Sequence, residues 1–281
     1  MIYVEIMGGL GNQLFQIFCG LAYSLENKIP FKINANKNDL VSPVDNISKR
    51  PTYWSNFLVN LSTFTYQEQL KIPIYIEKTQ VKFDKIPYIS DDFRLHGYYQ
   101  SYKYFDGQFT NICKLINLDN QKASIKEKYN HYFNNKKIIC IHFRIGDLKN
   151  NKGHGPVIDY KYSIICLNYM KENLPDFSNY KILYFGEKED NMLIESFITK
   201  INVEFKNKYT IIDYTIPDYE QLLLMSLCSH NIIANSTFSW WGAYFNNNTN
   251  KIVCYPSLWF GKNCNIDTRD LFPDSWIKIY F

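Results

Sequence analysis

Between residues 138 and 255, five short apolar runs alternate with stretches whose apolar residues recur at helical spacing. The runs cover 138–141, 182–185, 210–212, 232–234 and 252–255. The helical stretches lie near 160–173 and 191–201, after Asp218, and around Trp240, Trp241 and Tyr244. Short strands separated by single helices predict βαβ units, and these build a parallel sheet. Asp218 with Gln221 three residues on marks a helix start, with Asp218 as its cap. The amino-terminal end repeats the theme. An apolar strand over 2–6 meets Gly8-Gly9-Leu10-Gly11-Asn12-Gln13, and Leu14, Ile17, Phe18, Leu21, Ala22 and Leu25 then follow a helical period. Pro30 ends that helix, and 29–33 reads as a second strand. Strand, glycine loop, helix and strand in that order open a doubly wound α/β domain. The fold class is therefore α/β. Residues 34–117 carry only local patterns, near 63–68 and 105–118, and no element is assigned there. The polar, lysine-rich stretch 120–137 separates two halves, 1–130 and 131–281.

A chain of 281 residues can bury one large core or two modest ones. Its 46% hydrophobic and 21% charged residues are those of an ordinary soluble protein. The 17% aromatic content suits sugar or base stacking as well as plain core filling. A net charge of +4 with no basic run longer than a pair such as Lys136-Lys137 argues against a nucleic-acid stripe. It still suits an anionic small substrate. Seven dispersed cysteines without a C-x-x-C pair point to a reducing compartment. No run approaches the length of a membrane helix, so the expected location is the cytoplasm, with the sequons at Asn46, Asn60 and Asn235 unused.

The run 138–141 leads straight into His142-Phe143-Arg144-Ile145-Gly146-Asp147. That spacing puts a permanent cation at the carboxyl end of a buried strand, beside a glycine that permits a tight turn. Open α/β sheets bind ligands outside the carboxyl ends of their strands. A guanidinium fork matches phosphate oxygens. A phosphorylated ligand on Arg144 is one reading; an Arg144–Asp147 pair that merely fastens a loop is the other. Asn235-Ser236-Thr237 stands where the run 232–234 meets the next helix. Free N–H groups, the positive end of the helix dipole and two hydroxyls suit a diphosphate or ribose there. Ser236 or Thr237 could equally serve as an ordinary helix cap. The loop that holds Gly9 and Gly11 fits neither G-x-G-x-x-G nor the P-loop pattern, and reads as well as a tight strand-to-helix turn. Asn12 either orients a hydroxyl or caps the helix. Trp240-Trp241 reads as core. No Asp-x-Asp occurs, and the five histidines lack paired ligand spacing, so no metal is expected.

As a set, several stretches resemble glycosyltransferase family 11, the α1,2-fucosyltransferases. They are Gly8-Gly9-Leu10-Gly11-Asn12-Gln13-Leu14-Phe15-Gln16, Leu95-His96-Gly97-Tyr98-Tyr99-Gln100-Ser101 with Tyr104-Phe105, and His142-Phe143-Arg144-Ile145-Gly146-Asp147. Leu224-Met225-Ser226-Leu227-Cys228 and Ile232 through Gly242 follow, then Pro256 with Trp259-Phe260, and Asp270-Leu271-Phe272-Pro273 with Trp276. The resemblance implies a GT-B-like fold, two Rossmann-type α/β halves facing a cleft, with the acceptor on the first half and the nucleotide sugar on the second. It implies GDP-fucose as donor, no metal or other cofactor, inversion at the fucose anomeric carbon, and transfer to the 2-hydroxyl of a galactose-type acceptor. The partners are then a nucleotide sugar and a galactose-containing oligosaccharide, with no nucleic acid and no membrane span. By residue, the resemblance sets Arg144 on the donor diphosphate with His142 near the guanine. It sets Asn235, Ser236 and Thr237 against nucleotide and phosphates, and the loop of Gly9, Gly11 and Asn12 against the reacting centre. The family often carries two adjacent arginines in the His-x-Arg stretch; Ile145 occupies the second position here.

An inverting transfer builds negative charge on the leaving GDP, so fixed donors led by Arg144 stabilise its transition state. A general base takes the acceptor proton. Asp147 is placed for that task, although it could instead orient Arg144 or cap a turn. Glu187 and Asp218 are further carboxylates at loop ends, Asp218 with a second role open to it at the guanine edge. Two other readings compete: the same fold with another GDP-deoxyhexose, and a silent carbohydrate-binding protein. Against the latter stands a complete set of Arg144, Asn12, Ser236 and Thr237.

Overall fold

Ile2, Val4, Phe31, Ile33, Phe93 and Leu95 alternate with polar or amphipathic neighbours, and all six are buried. They form one face of the first of two parallel sheets. The computed structural model describes residues 1–34, 39–41, 49–68, 70–134, 137–149, 155–261, 264 and 266–281, except the side chains of Asp39, Val41, Asp147 and Lys149. The chain divides into two α/β units, Met1–Gln121 with Ile266–Pro273, and Lys122–Asn265 with Asp274–Phe281.

The first unit runs β1 (Ile2–Val4), α1 (Leu10–Asn27), β2 (Phe31–Asn34), β3 (Asp39–Val41), β4 (Lys49–Pro51), β5 (Thr65–Tyr66), β6 (Ile74–Ile76), β7 (Phe93–His96) and α2 (Phe109–Leu115). The sheet order is β5-β2-β1-β7-β6, all parallel, while β3 and β4 form a separate antiparallel pair. Helix α1 lies directly on the apolar face: a Cβ on its Gly20 would come within 2.3 Å of Val4 Cγ2. Tyr3, Glu5, Arg94 and His96 therefore fall on the opposite face. The chain leaves β1 outward through β2 to β5, then returns to β6 and β7 on the other side of β1. The strand order reverses between β1 and β7. The returning segment is fastened at Asp270, whose backbone oxygen accepts from Ser101 Oγ (2.6 Å) and whose carboxylate accepts from Lys103 Nζ (2.6 Å) and Phe83 N (2.9 Å).

Helix α3 (Leu118–Lys128) begins in the first unit and continues into the second. Then follow α4 (Asn130–Phe133), β8 (Ile138–His142), α5 (Tyr160–Asn173), β9 (Lys181–Phe185), α6 (Asn191–Glu204), β10 (Lys208–Ile211), α7 (Asp218–Ser226), β11 (His230–Ile232), α8 (Thr237–Tyr244), β12 (Val253–Pro256) and β13 (Ile277–Ile279). The order is β10-β9-β8-β11-β12-β13, again all parallel, and it reverses between β8 and β11. All five residues of β9 are buried, as a parallel strand covered on both faces requires.

The division falls nine residues before the expected 130/131 boundary, and polar contacts explain why. Lys122 Nζ donates to Phe245 O (2.6 Å), Lys128 Nζ and Tyr129 OH bind Glu220, and Tyr132 OH accepts from Asp213 N (3.0 Å). These bonds commit the rest of α3, and α4, to the second unit. The run 252–255 is not the last strand, because β13 lies outside β12. Residues 34–117, left without elements by the sequence pattern, supply β5, β6, β7 and α2. Helix α7 starts as expected, but Pro217 holds the cap position and no side chain caps it; Asp218 accepts from Tyr219 N instead (2.7 Å). Among the described residues no helix is long and apolar enough to cross a membrane.

Candidate active site

Past Ile141 the chain stays extended. Phe143 and Ile145 turn into the core of the second unit, which leaves His142 and Arg144 half-buried at the edge where the strand order reverses. Gly146 then closes the turn. Its N–H donates to Asp190 Oδ2 (2.7 Å), and a Cβ there would fall 2.7 Å from Glu187 Oε2. Burial, and secondarily the Arg144 charge, push His142 down to about 3, so its imidazole is neutral at physiological pH. Its ring lies 5.8 Å from that of Phe238, and its Nδ1 is buried without a partner among the described residues.

On the other side of the same edge, Asn235 follows β11. Its Nδ2 donates to Pro156 O (3.2 Å) and Trp259 O (3.4 Å). Gly155, at φ +133°, admits that approach: a Cβ on it would sit 2.6 Å from the same Nδ2. The amide is thereby fixed, and its Oδ1 is buried without a partner among the described residues. Ser236 caps α8, its Oγ accepting from Phe238 N (3.3 Å), so the capping role foreseen for it is real. A hydroxyl that accepts one bond keeps its own hydrogen to donate. Thr237 is the first helical residue. At the carboxyl end of α8, Lys122 Nζ binds Phe245 O and Lys251 Nζ binds Ala243 O (2.8 Å) and Asn246 O (2.6 Å). Two cations thus complement the negative end of a helix whose positive end faces the β8–β11 edge. Trp240 and Trp241 are fully buried, as read.

In the first unit, Gly8 takes φ +76°, and a Cβ there would press on Asn12 Nδ2 at 2.6 Å. Two buried glutamines of α1 hold this loop. Gln13 Nε2 donates to Gly8 O (3.0 Å) and Pro51 O (2.9 Å), and Gln16 Oε1 accepts from Met7 N (2.8 Å). Gly9 occupies the cap position of α1 and Gly11 is its second residue, so Asn12 is not the cap. Its Oδ1 instead accepts from Gln100 Nε2 (2.9 Å), a bond from the first turn of α1 to the loop that follows β7.

The structure therefore gathers His142, Arg144, Asn235, Ser236 and Thr237 at the reversal edge of the second unit. Gly9, Gly11 and Asn12 lie at that of the first. Asp218 is exposed at the start of α7, after β10, two strands from the β8–β11 edge. The side chain of Asp147 lies outside the described residues. Among the described residues, no group of three or more His, Cys, Asp or Glu could hold a metal ion.

The sequence matches the model of the family described as Glycosyl transferase family 11 over residues 37–279. The chain belongs to glycosyl transferase family 11. The O-antigen biosynthesis glycosyltransferase WbnK of Escherichia coli is 24% identical, with 99% of this chain and 100% of that protein covered. An alpha-1,2-colitosyltransferase of Escherichia coli is 24% identical, over 99% of each. A galactoside 2-alpha-L-fucosyltransferase of Caenorhabditis elegans is also 24% identical, over 99% of this chain and 79% of that one. Among solved structures, the fucosyltransferase NodZ from Bradyrhizobium superposes at a TM-score of 0.49 with 12% identity, covering 86% of this chain and 91% of that one.

This family 11 chain is a glycosyltransferase built from two Rossmann-type α/β units, the content expected of the GT-B class. Ile145, where the family often has a second arginine, is 1% exposed within the core, so that position supplies no cation. Sequence reasoning missed Asp190 and Gly155, which fix Gly146 and Asn235. It missed equally the Gln100 amide that holds Asn12. Gln100 stands within a quoted stretch of the resemblance, which was the one available signal.

Proposed function

We propose that this glycosyltransferase moves L-fucose from GDP-fucose to the 2-hydroxyl of a galactose-type acceptor, with inversion and without a metal. One observation supports this reading above the others: the buried, unmatched His142 Nδ1 and Asn235 Oδ1 at one strand edge. Native proteins pair such atoms, and a nucleotide brings both donors and acceptors to them. The neutral imidazole of His142 suits an uncharged base. Arg144 and the amino end of α8 suit the diphosphate. As the sugar–phosphate bond breaks, charge grows on GDP, and groups already fixed in place stabilise it without reorganisation. Asn12 is assigned to the reacting end of the donor. A second reading, another GDP-deoxyhexose at the same site, is favoured by the relative whose name specifies colitosyl transfer.

The test is incubation with GDP-fucose, or with other GDP-deoxyhexoses, and a panel of galactose-terminated oligosaccharides in the presence of a chelator. GDP release and the linkage in the product are followed. A fucosylated 2-hydroxyl is expected. Transfer confined to another sugar selects the second reading, and GDP release from no donor overturns both.

A further inference from the structure

In the first unit, Glu5 follows β1 and His96 ends β7, so both stand at the carboxyl edge where the strand order reverses. The parallel register pairs Val4 with Leu95, which sets Glu5 beside His96 on the face away from α1. Glu5 Oε2 lies 2.9 Å from His96 Nδ1, and Glu5 Oε1 accepts from Arg94 Nη1 at 2.8 Å. A carboxylate can only accept, so in the neutral ring the proton lies on Nδ1 and the lone pair on Nε2. The His96 side chain is 46% exposed, against 23% for Glu5 and 25% for Arg94. A half-buried carboxylate orienting a more accessible imidazole is the arrangement of a base with its orienting partner.

We propose that His96, oriented by Glu5, is the general base that receives the proton of the acceptor hydroxyl, an inference that rests on the transferase reading above. The acceptor oxygen forms its bond to the anomeric carbon as the bond from that carbon to the diphosphate oxygen breaks. The electron pair leaves with GDP, the hydroxyl proton passes to His96 Nε2, and solvent later removes it. Glu77, another carboxylate of the first unit, is unsuited. Its Oε2 is occupied by Tyr98 N (2.8 Å), and its Oε1 is buried without access to any acceptor. A purely architectural role is already filled by the Arg94–Glu5 pair, which ties β7 to β1 without the imidazole.

The test uses the full chain with whichever donor and acceptor the wild type accepts. His96→Ala is expected to lower transfer about 100-fold or more while the affinity for the GDP-sugar, read by calorimetry, holds. Added free imidazole restores part of the rate to His96→Ala and none to Arg144→Ala. Glu5→Gln, nearly isosteric, also lowers transfer, because an amide can donate to Nδ1 and leave the proton on Nε2. Wild-type transfer by folded His96→Ala overturns the inference. So does a loss that imidazole does not relieve, or an imidazole-rescued loss found in Asp147→Ala instead. A wild type that releases GDP from no nucleotide sugar sinks the transferase reading as well, so the two failures are told apart.

Discussion

His142, two residues before Arg144, is held neutral by burial, with the Arg144 guanidinium adding to the effect. In the proposed reading the pair divides the labour of a nucleotide-diphosphate site, one side chain for charge and one for an uncharged ring. With Ile145 committed to the core, the proposed reading leaves the departing diphosphate one guanidinium at this stretch. Arg144→Ala is expected to lose about 3 kcal/mol or more of transition-state stabilisation, by analogy with the loss of an oxyanion donor. Steady-state GDP release measures it, and near-wild-type turnover in the folded variant contradicts the assignment. Arg144 and His142 were legible in the sequence because a charged residue ends an apolar run. Glu5 with His96 was not, because 91 positions separate them. Nor was Asp190, which binds Gly146 from 44 positions away. Only a parallel register brings such residues together, and no local pattern encodes it.

At the scale of elements, α8 is the piece to which the proposed reading gives the diphosphate, and it is anchored at both ends. Its interior face buries Trp240 and Trp241, its carboxyl end is held by Lys122 and Lys251, and its amino end carries the Ser236 cap. Ser236→Ala is expected to cost about 1 kcal/mol of stability through the lost cap. It is also expected to weaken GDP binding, because the helix start loses its fixed position. Urea unfolding and calorimetric GDP titration read the two effects, and unchanged values in both contradict the role. Helices such as α5, expected over 160–173 and found at Tyr160–Asn173, were legible because their period repeats over several turns. Strands β6, β7 and β13 have three or four residues each, and β7 includes an arginine and a histidine. Their conformation is imposed by neighbouring strands, and strand preference on its own is a weak local signal.

At the scale of the whole molecule, two histidines of the second unit set a response to acid. His142 and His230 both belong to the second unit. Burial pushes them down to about 3 and about 4, helped by Arg144 for the one and Lys137 for the other. His230 shows why the proton is refused: its Nδ1 accepts from Ile252 N (3.0 Å), and a proton there would break that bond. In the unfolded chain both rings titrate near 6.5. Below that value the unfolded state therefore takes up protons that the folded unit rejects, and stability falls with pH down to about 4 and 3. The slope is at most ~1.4 kcal/mol per pH unit for each ring. Glu77 in the first unit is raised by burial, so its contribution grows as pH falls. Four of the five tryptophans, Trp240, Trp241, Trp259 and Trp276, lie in the second unit, so tryptophan fluorescence reports mainly on that unit. Followed through urea unfolding, its midpoint is expected to be lower at about pH 5 than at about pH 7. The His142→Asn/His230→Asn double variant is expected to narrow that gap. A midpoint indifferent to pH over this range contradicts two buried neutral rings, and with them the uncharged environment assigned to the base of the nucleotide.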